Sequence, residues 1–249
     1  MTLAPPNSAL AGVGLTDASY CATCGIRRTS LCGALTVEEM SLLSPIARHK
    51  RLPAGQTFSF QGEESTAFAN IEAGVAKLVR GAADGRTQIV GLLFQSDFLG
   101  SAALPQAPNE EPHSIIAVSD LDLCVFPRKP FETLVADHPT MENALLRRCV
   151  SELNLARDWM VLLGRKTAGE RVASFLYYVA QKLQGRGCQP GEGFDLPLDR
   201  SEIADYIGLT TETVSRQITN LRKARVIELS TARHICRVDM EALKARTGF

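Results

Sequence analysis

The sequence predicts an α+β chain: an antiparallel sheet domain first, a long helix in the middle, and a compact helical unit with two short strands last. Three observations predict it. The length of 249 residues exceeds the roughly 150 typical of one domain. From about Lys50 to Pro130, short apolar runs alternate with turns at Gly55, Gly62, Gly74, Gly85 and Gly100, the pattern of an antiparallel barrel or sandwich. From about Thr140 the apolar period becomes helical.

Composition narrows the function classes. A chain that is 45% hydrophobic and 22% charged is an ordinary globular protein and not a disordered, collagen-like or coiled-coil one. Lys+Arg and Asp+Glu both total 27, so affinity for nucleic acid has to come from a local basic patch. No run approaches the roughly 18 apolar residues of a spanning helix, and Met1 to Gly14 lacks the basic start of a signal peptide. A cytoplasmic protein with no membrane partner is expected. Seven cysteines, an odd count in such a chain, argue against a disulfide framework and for metal or redox use.

Residues 1–35 show little periodicity and carry Cys21, Cys24 and Cys32; they read as a loop that needs something to order it. Thr36-Val-Glu-Glu39 has the form of a capping box ahead of apolar Met40, Leu42, Leu43 and Ile46, so a short helix follows. Strands are expected at Val75–Val79, Thr87–Phe94 and Leu121–Phe126, within a sensory domain spanning 36–139.

Residues 140–164 form the long helix. Leu146, Cys149, Leu153, Ala156, Met160 and Leu163 follow one another at steps of 3, 4, 3, 4 and 3, the a/d seam of a dimerisation helix; a plain buried helix is the competing reading. Val150, Leu155, Trp159 and Leu162 form a second apolar set, expected to pack on the chain's own sheet domain. The glycine-rich stretch from Gln184 to Gly193 lacks the Gly-Lys-Ser/Thr ending of a phosphate cradle and reads as a loop.

Residues 165–249 carry the clearest signal. Leu198 to Leu221 reads as two helices joined at Gly208, which takes the positive φ of the turn. Asp199 and Glu202 cap the first, with Ile203, Ala204 and Ile207 inward. Thr210 caps the second, whose Val214, Ile218 and Leu221 face inward at i, i+4 and i+7. Thr211, Glu212, Ser215, Arg216 and Thr219 are left outward. They suit base edges in a major groove, where arginine bonds guanine bidentately and glutamate accepts from cytosine. From Thr211 to Arg225, four basic residues stand against one acidic, a net of +3, which supplies a footprint for phosphates. With strands at Val226–Leu229 and His234–Val238, this is a winged helix-turn-helix; an ordinary helical hairpin is the alternative.

The sheet domain, the seam-bearing helix and a winged reader containing Glu212-Thr-Val-Ser-Arg216 together resemble the family of cyclic-AMP receptor proteins and fumarate-nitrate-reduction regulators, over nearly the whole chain from about Cys21. The resemblance implies a β-roll sensory domain and a homodimer on palindromic double-stranded DNA. It also implies a contact with RNA polymerase through the Ala82–Arg86 turn.

Cyclic-nucleotide readers of that family bind ribose and phosphate through Gly-Glu and a later Arg-Ser/Thr. The matching stretches here are Phe98-Leu-Gly-Ser101 and Pro112-His-Ser-Ile-Ile116, with no arginine between Arg86 and Arg128. A buried phosphate without its cation is poorly compensated, so a cyclic nucleotide is disfavoured. Cys21-x2-Cys24-x7-Cys32 with distant Cys124 is similar instead to the four-thiolate set of the oxygen-responsive branch, where it holds a [4Fe–4S] cluster. That branch prefers half-sites of TTGAT type and controls anaerobic or microaerobic genes. Ile26 and Leu31 are expected to shield the cluster. A structural zinc site and unliganded thiols stay open on spacing alone, as does an iron-sulfur enzyme or electron carrier, for which the sequence offers no catalytic dyad. Cys149, Cys188, Cys236 and the four histidines receive no ligand role.

Overall fold

The computed structural model describes residues 14–15, 18–100, 109–184 and 193–248. They divide into two compact units, with the boundary between Glu152 and Leu153. The readings made of the chain's first 13 residues, of Ser101 and of the glycine-rich stretch with Cys188 lie outside the described residues. Among the described residues no helix is long and apolar enough to cross a membrane.

The cysteine-bearing segment is not all loop. It contains strand β1 (Gly14–Leu15), helix α1 (Ala18–Thr23) and a 3-10 turn (Leu31–Ala34). Elements of two to six residues are too short to display a period, so the apolar pattern passes over them. Helix α2 (Val37–Leu43) begins where the capping box places it: Thr36 Oγ1 accepts from the Glu39 N–H at 3.2 Å, and the Glu39 carboxylate accepts from the Thr36 N–H at 2.8 Å.

Eight further strands follow: β2 (Arg48–Leu52), β3 (Thr57–Ser59), β4 (Ala67–Ala73), β5 (Ala76–Gly81), β6 (Thr87–Leu93), β7 (Phe98–Leu99), β8 (Ser114–Ala117) and β9 (Leu121–Pro127). They form two antiparallel sheets, β1-β2-β9-β4-β7 and β3-β8-β5-β6, the β-roll. The period-2 alternation of a strand gives this unit two cores. On β4, Ala67, Ala69 and Ile71 join Leu52, Phe58, Leu123 and Val125 in one. Phe68 points to the opposite face and joins Leu43, Phe126, Phe131, Met141 and Leu145 in the other. Helix α3 (Arg128–Asp137) and the start of α4 (Pro139–Arg165) close over this second core. The Phe131 ring lies 5.3, 5.7 and 5.4 Å from those of Phe68, Phe98 and Phe126, spacings at which aromatic rings add to simple burial.

The C-terminal unit holds the rest of α4, then α5 (Ala168–Gln184), β10 (Phe194–Asp195), α6 (Arg200–Ile207), α7 (Thr211–Lys223), β11 (Ile227–Leu229), β12 (His234–Val238) and α8 (Met240–Lys244). Val172, Phe175, Ile203, Ile207, Val214 and Leu243 are fully buried here. The wing has three strands in the order β10-β12-β11, one more than the sequence suggests, because β10 is only two residues long.

The second apolar set on α4 departs from expectation. Val150 is 56% exposed. Trp159 packs within the C-terminal unit, against Tyr206 and Tyr178 at 4.5 and 5.8 Å between centroids. Periodicity identifies a face of a helix but not what that face meets.

Candidate functional site

The four cysteines of the spaced set line one cavity. Helix α1 carries Cys21, Cys24 lies just past its end, the 3-10 turn carries Cys32, and the face of β9 toward the second core carries Cys124. Their cavity is walled by Ile26, Met40, Asn70, Glu72 and Phe126 among others. The loop between them is wound tightly: the Ser30 N–H donates to the Ile26 carbonyl at 2.9 Å and the Gly33 N–H to the Ser30 carbonyl at 3.1 Å. Gly33 is needed here, since a Cβ at that position would lie 2.5 Å from the Arg28 carbonyl oxygen. Of the two expected shields, Ile26 lines the cavity, whereas Leu31 is buried in the second core and in a separate pocket toward α4.

Polar groups crowd one side. Glu72 accepts from the Tyr20 hydroxyl at 3.2 Å and the Cys24 thiol at 3.9 Å, and pairs with His49 Nδ1 at 3.0 Å. His49, given no ligand role from sequence, thus stands at the edge of the site. Asn70 Nδ2 donates to Cys32 Sγ at 3.7 Å. Burial pushes the Cys32 thiol up to about 11, with Ser30 opposing and Cys24 and Cys21 adding to the rise. Burial pushes Cys124 far above the ordinary thiol range, reinforced by Glu72 and by the other three cysteines. In both, burial disfavours the charged thiolate. Among the described residues no three His, Cys, Asp or Glu side chains converge as a set for a single metal ion. The donor chemistry, four soft sulfurs lining one space, suits an iron–sulfur core.

A polar chain leads from this loop to α4. Thr29 Oγ1 and Ser96 Oγ are 2.6 Å apart. The Ser96 carbonyl accepts from Arg148 Nη2 at 2.8 Å, and the same nitrogen lies 3.3 Å from Asp97 Oδ1. Ser96 is buried and has φ +70°, a conformation a serine adopts only when its surroundings hold it there.

Along α4 the seam is uncovered in the single chain. Leu146, Leu153 and Met160 are 44, 49 and 72% exposed; Ala156 is exposed, and Cys149 and Leu163 are half-buried. The reading of a plain buried helix does not hold for these positions.

In the C-terminal unit the reader has the predicted local chemistry. Asp199 Oδ1 accepts from the Ser201 and Glu202 N–H groups, Gly208 adopts φ +64°, and Thr210 Oγ1 accepts from the Thr213 N–H. Val214, Ile218 and Leu221 are buried, while Thr211, Glu212, Ser215 and Arg216 are exposed. Thr219 is half-buried and its hydroxyl donates to the Ser215 carbonyl at 2.9 Å, which leaves it as an acceptor. Sequence reasoning passed over a polar groove beside α7, lined by Arg200, Ser215, Thr219, Arg222, Ser230 and Thr231. Arg200 sits one helix away and Thr231 in the wing turn, so only tertiary structure brings them to the recognition face.

The comparisons with known proteins agree with this geometry. The Crp-like helix-turn-helix domain family matches residues 170–246 and the cyclic nucleotide-binding domain family matches 49–138. The chain is 41% identical over 224 residues to a probable transcriptional activator of Rhizobium leguminosarum bv. viciae, covering 90% of this chain and 91% of that one. It is 39% identical over 231 residues to the transcriptional activator protein FnrL of Cereibacter sphaeroides, covering 92% of each. The solved structure of FixK2 from Bradyrhizobium japonicum superposes with a TM-score of 0.72 at 27% identity, covering 81% of this chain and 97% of that one. A winged reader and a β-roll are a regulator's architecture: the chain belongs to the CRP/FNR family of DNA-binding transcription regulators.

Proposed function

We propose that this protein is a homodimeric, oxygen-responsive transcriptional activator. In this reading Cys21, Cys24, Cys32 and Cys124 hold a [4Fe–4S] cluster, and the dimer binds inverted repeats of TTGAT type at anaerobic or microaerobic genes. The observation that carries it is the gathering of all four cysteines, three from one loop and one from a distant strand, around a single cavity. When bound, the cluster supplies an inorganic core that oxygen can dismantle. The chain's own residues do the rest. The loop from Cys21 to Cys32 is ordered against Cys124, and Thr29, Ser96 and Arg148 carry that order to α4. The exposed seam then pairs with that of a second copy. Pairing places two recognition helices about one DNA turn apart, and because one half-site binds weakly, a modest loss of pairing empties the operator. The exposed Ala82–Arg86 turn, braced by an Asp84–Arg86 pair at 2.7 Å, is the surface offered to RNA polymerase.

Protein purified without air is expected to contain iron and acid-labile sulfide in equal amounts and to elute as a dimer, then to lose both and elute as a monomer after exposure to air. Iron-poor protein that fills its operator equally in both conditions overturns the reading. The polar chain makes a separate prediction. Arg148→Ala is expected to keep its iron while its dimer fraction, followed by size exclusion, no longer tracks iron content; tracking as tight as in the wild type removes Arg148 from the route.

A further inference from the structure

Asn70 is an amide in the middle of an otherwise apolar stretch of β4, 1% exposed. In register it faces Cys124 on β9 and Phe98 on β7. Cross-strand partners put their side chains side by side on one face, and both Asn70 and Cys124 line the thiol cavity. The Nδ2 group donates to Cys32 Sγ at 3.7 Å, while Oδ1 has no hydrogen-bond partner. A buried amide that leaves its carbonyl unsatisfied is a poor choice for packing alone, where leucine of similar size fills the same space. Its N–H is the useful end: a thiolate accepts hydrogen bonds and cannot donate them.

We infer that Asn70 is a positioning residue for the thiolate site, its amide N–H holding the Cys32 sulfur and drawing electron density from it beside Cys124. The inference rests on the four cysteines binding a cluster. Hydrogen bonds to cluster sulfurs and groups behind the ligands set both potential and retention. Asn70 would therefore favour the reduced, more negative state, raise the reduction potential and slow the release of iron.

The test compares wild type, Asn70→Leu and Asn70→Val, all purified without air; neither replacement carries a donor or a charge. Both variants are expected to give up iron to a chelator on the order of tenfold faster. They are also expected to shift the iron–thiolate stretching bands and to lower the cluster's reduction potential. Asn70→Ser, whose hydroxyl can donate, should recover part of each change. Urea midpoints of the metal-free proteins show whether each variant folds, and if Asn70→Leu does not, the Val and Ser variants decide. Wild-type bands, potential and iron release in a folded Leu or Val variant overturn the assignment of Asn70 while leaving the cluster reading intact. A wild type that holds no iron overturns both.

Discussion

Replacing Arg216 with alanine is expected to abolish selective binding to the operator while leaving fold, dimer and thiol site as they are. Arg216 is exposed on α7, opposite buried Val214, Ile218 and Leu221. Alanine is a better helix former than arginine and removes no buried contact, so the scaffold does not change. What disappears is a bidentate contact to a base edge, worth about 1–3 kcal/mol of discrimination in each half-site. On a palindrome both copies lose it, which amounts to roughly 30-fold to more than 10⁴-fold in specific affinity. Glu212 and Ser215 lie on the same face at i−4 and i−1 and remain, so weak, non-selective binding persists through the phosphate contacts.

Arg222, in the groove toward the wing, is the control: Arg222→Ala should weaken all duplexes about equally and reduce the salt slope by about one. The measurement is a titration of operator, single-base-altered operator and unrelated duplex at several salt concentrations. A variant at Arg216 that still distinguishes the first two as the wild type does would show that α7 is not the reading element.

What the sequence makes legible here follows from range. The reader is written locally: Asp199, Glu202, Gly208 and Thr210 mark helix ends through contacts within four residues, and the buried triplet of α7 repeats at helical spacing. The same holds for the seam on α4, whose exposed apolar positions are a property of one helix. The walls of the thiol cavity are not local. Asn70 and Glu72 reach it because β4 pairs with β9 in a register that sets Asn70 opposite Cys124, and a shift of one residue would turn both side chains into the opposite core. His49 enters through the pairing of β2 with the same strand. Nothing in the spacing of residues 49, 70 and 72 announces this. The face of Trp159 illustrates the same limit: its apolarity is readable, but its partners Tyr178 and Tyr206 belong to the C-terminal unit.

Cys124→Ser is the second change with a large expected effect, and it separates the chemistry of sulfur from the architecture around it. Serine nearly matches cysteine in shape, so β9 keeps its pairing with β2 and β4. A buried hydroxyl in this position costs about 1–3 kcal/mol at most if left unbonded, a loss a domain of this size withstands. As a ligand the exchange is far more severe. A hard, weakly acidic hydroxyl replaces a soft thiolate at the one corner supplied from outside the loop, and three sulfurs on a single short segment cannot by themselves tie that segment to the sheet. The variant is expected to emerge from air-free purification without iron or labile sulfide, to stay monomeric with or without air, and to bind operator as feebly as the air-treated wild type. Cys149→Ser and Cys236→Ser, on the seam and in the wing, should retain iron and differ little from wild type, since neither side chain lines the cavity. Iron content, elution volume and operator titration on the same samples distinguish the cases. A Cys124 variant that keeps full iron would dissociate this strand from the site, and one that loses iron yet still dimerises and fills its operator would break the link from thiols to seam on which the proposed oxygen control rests.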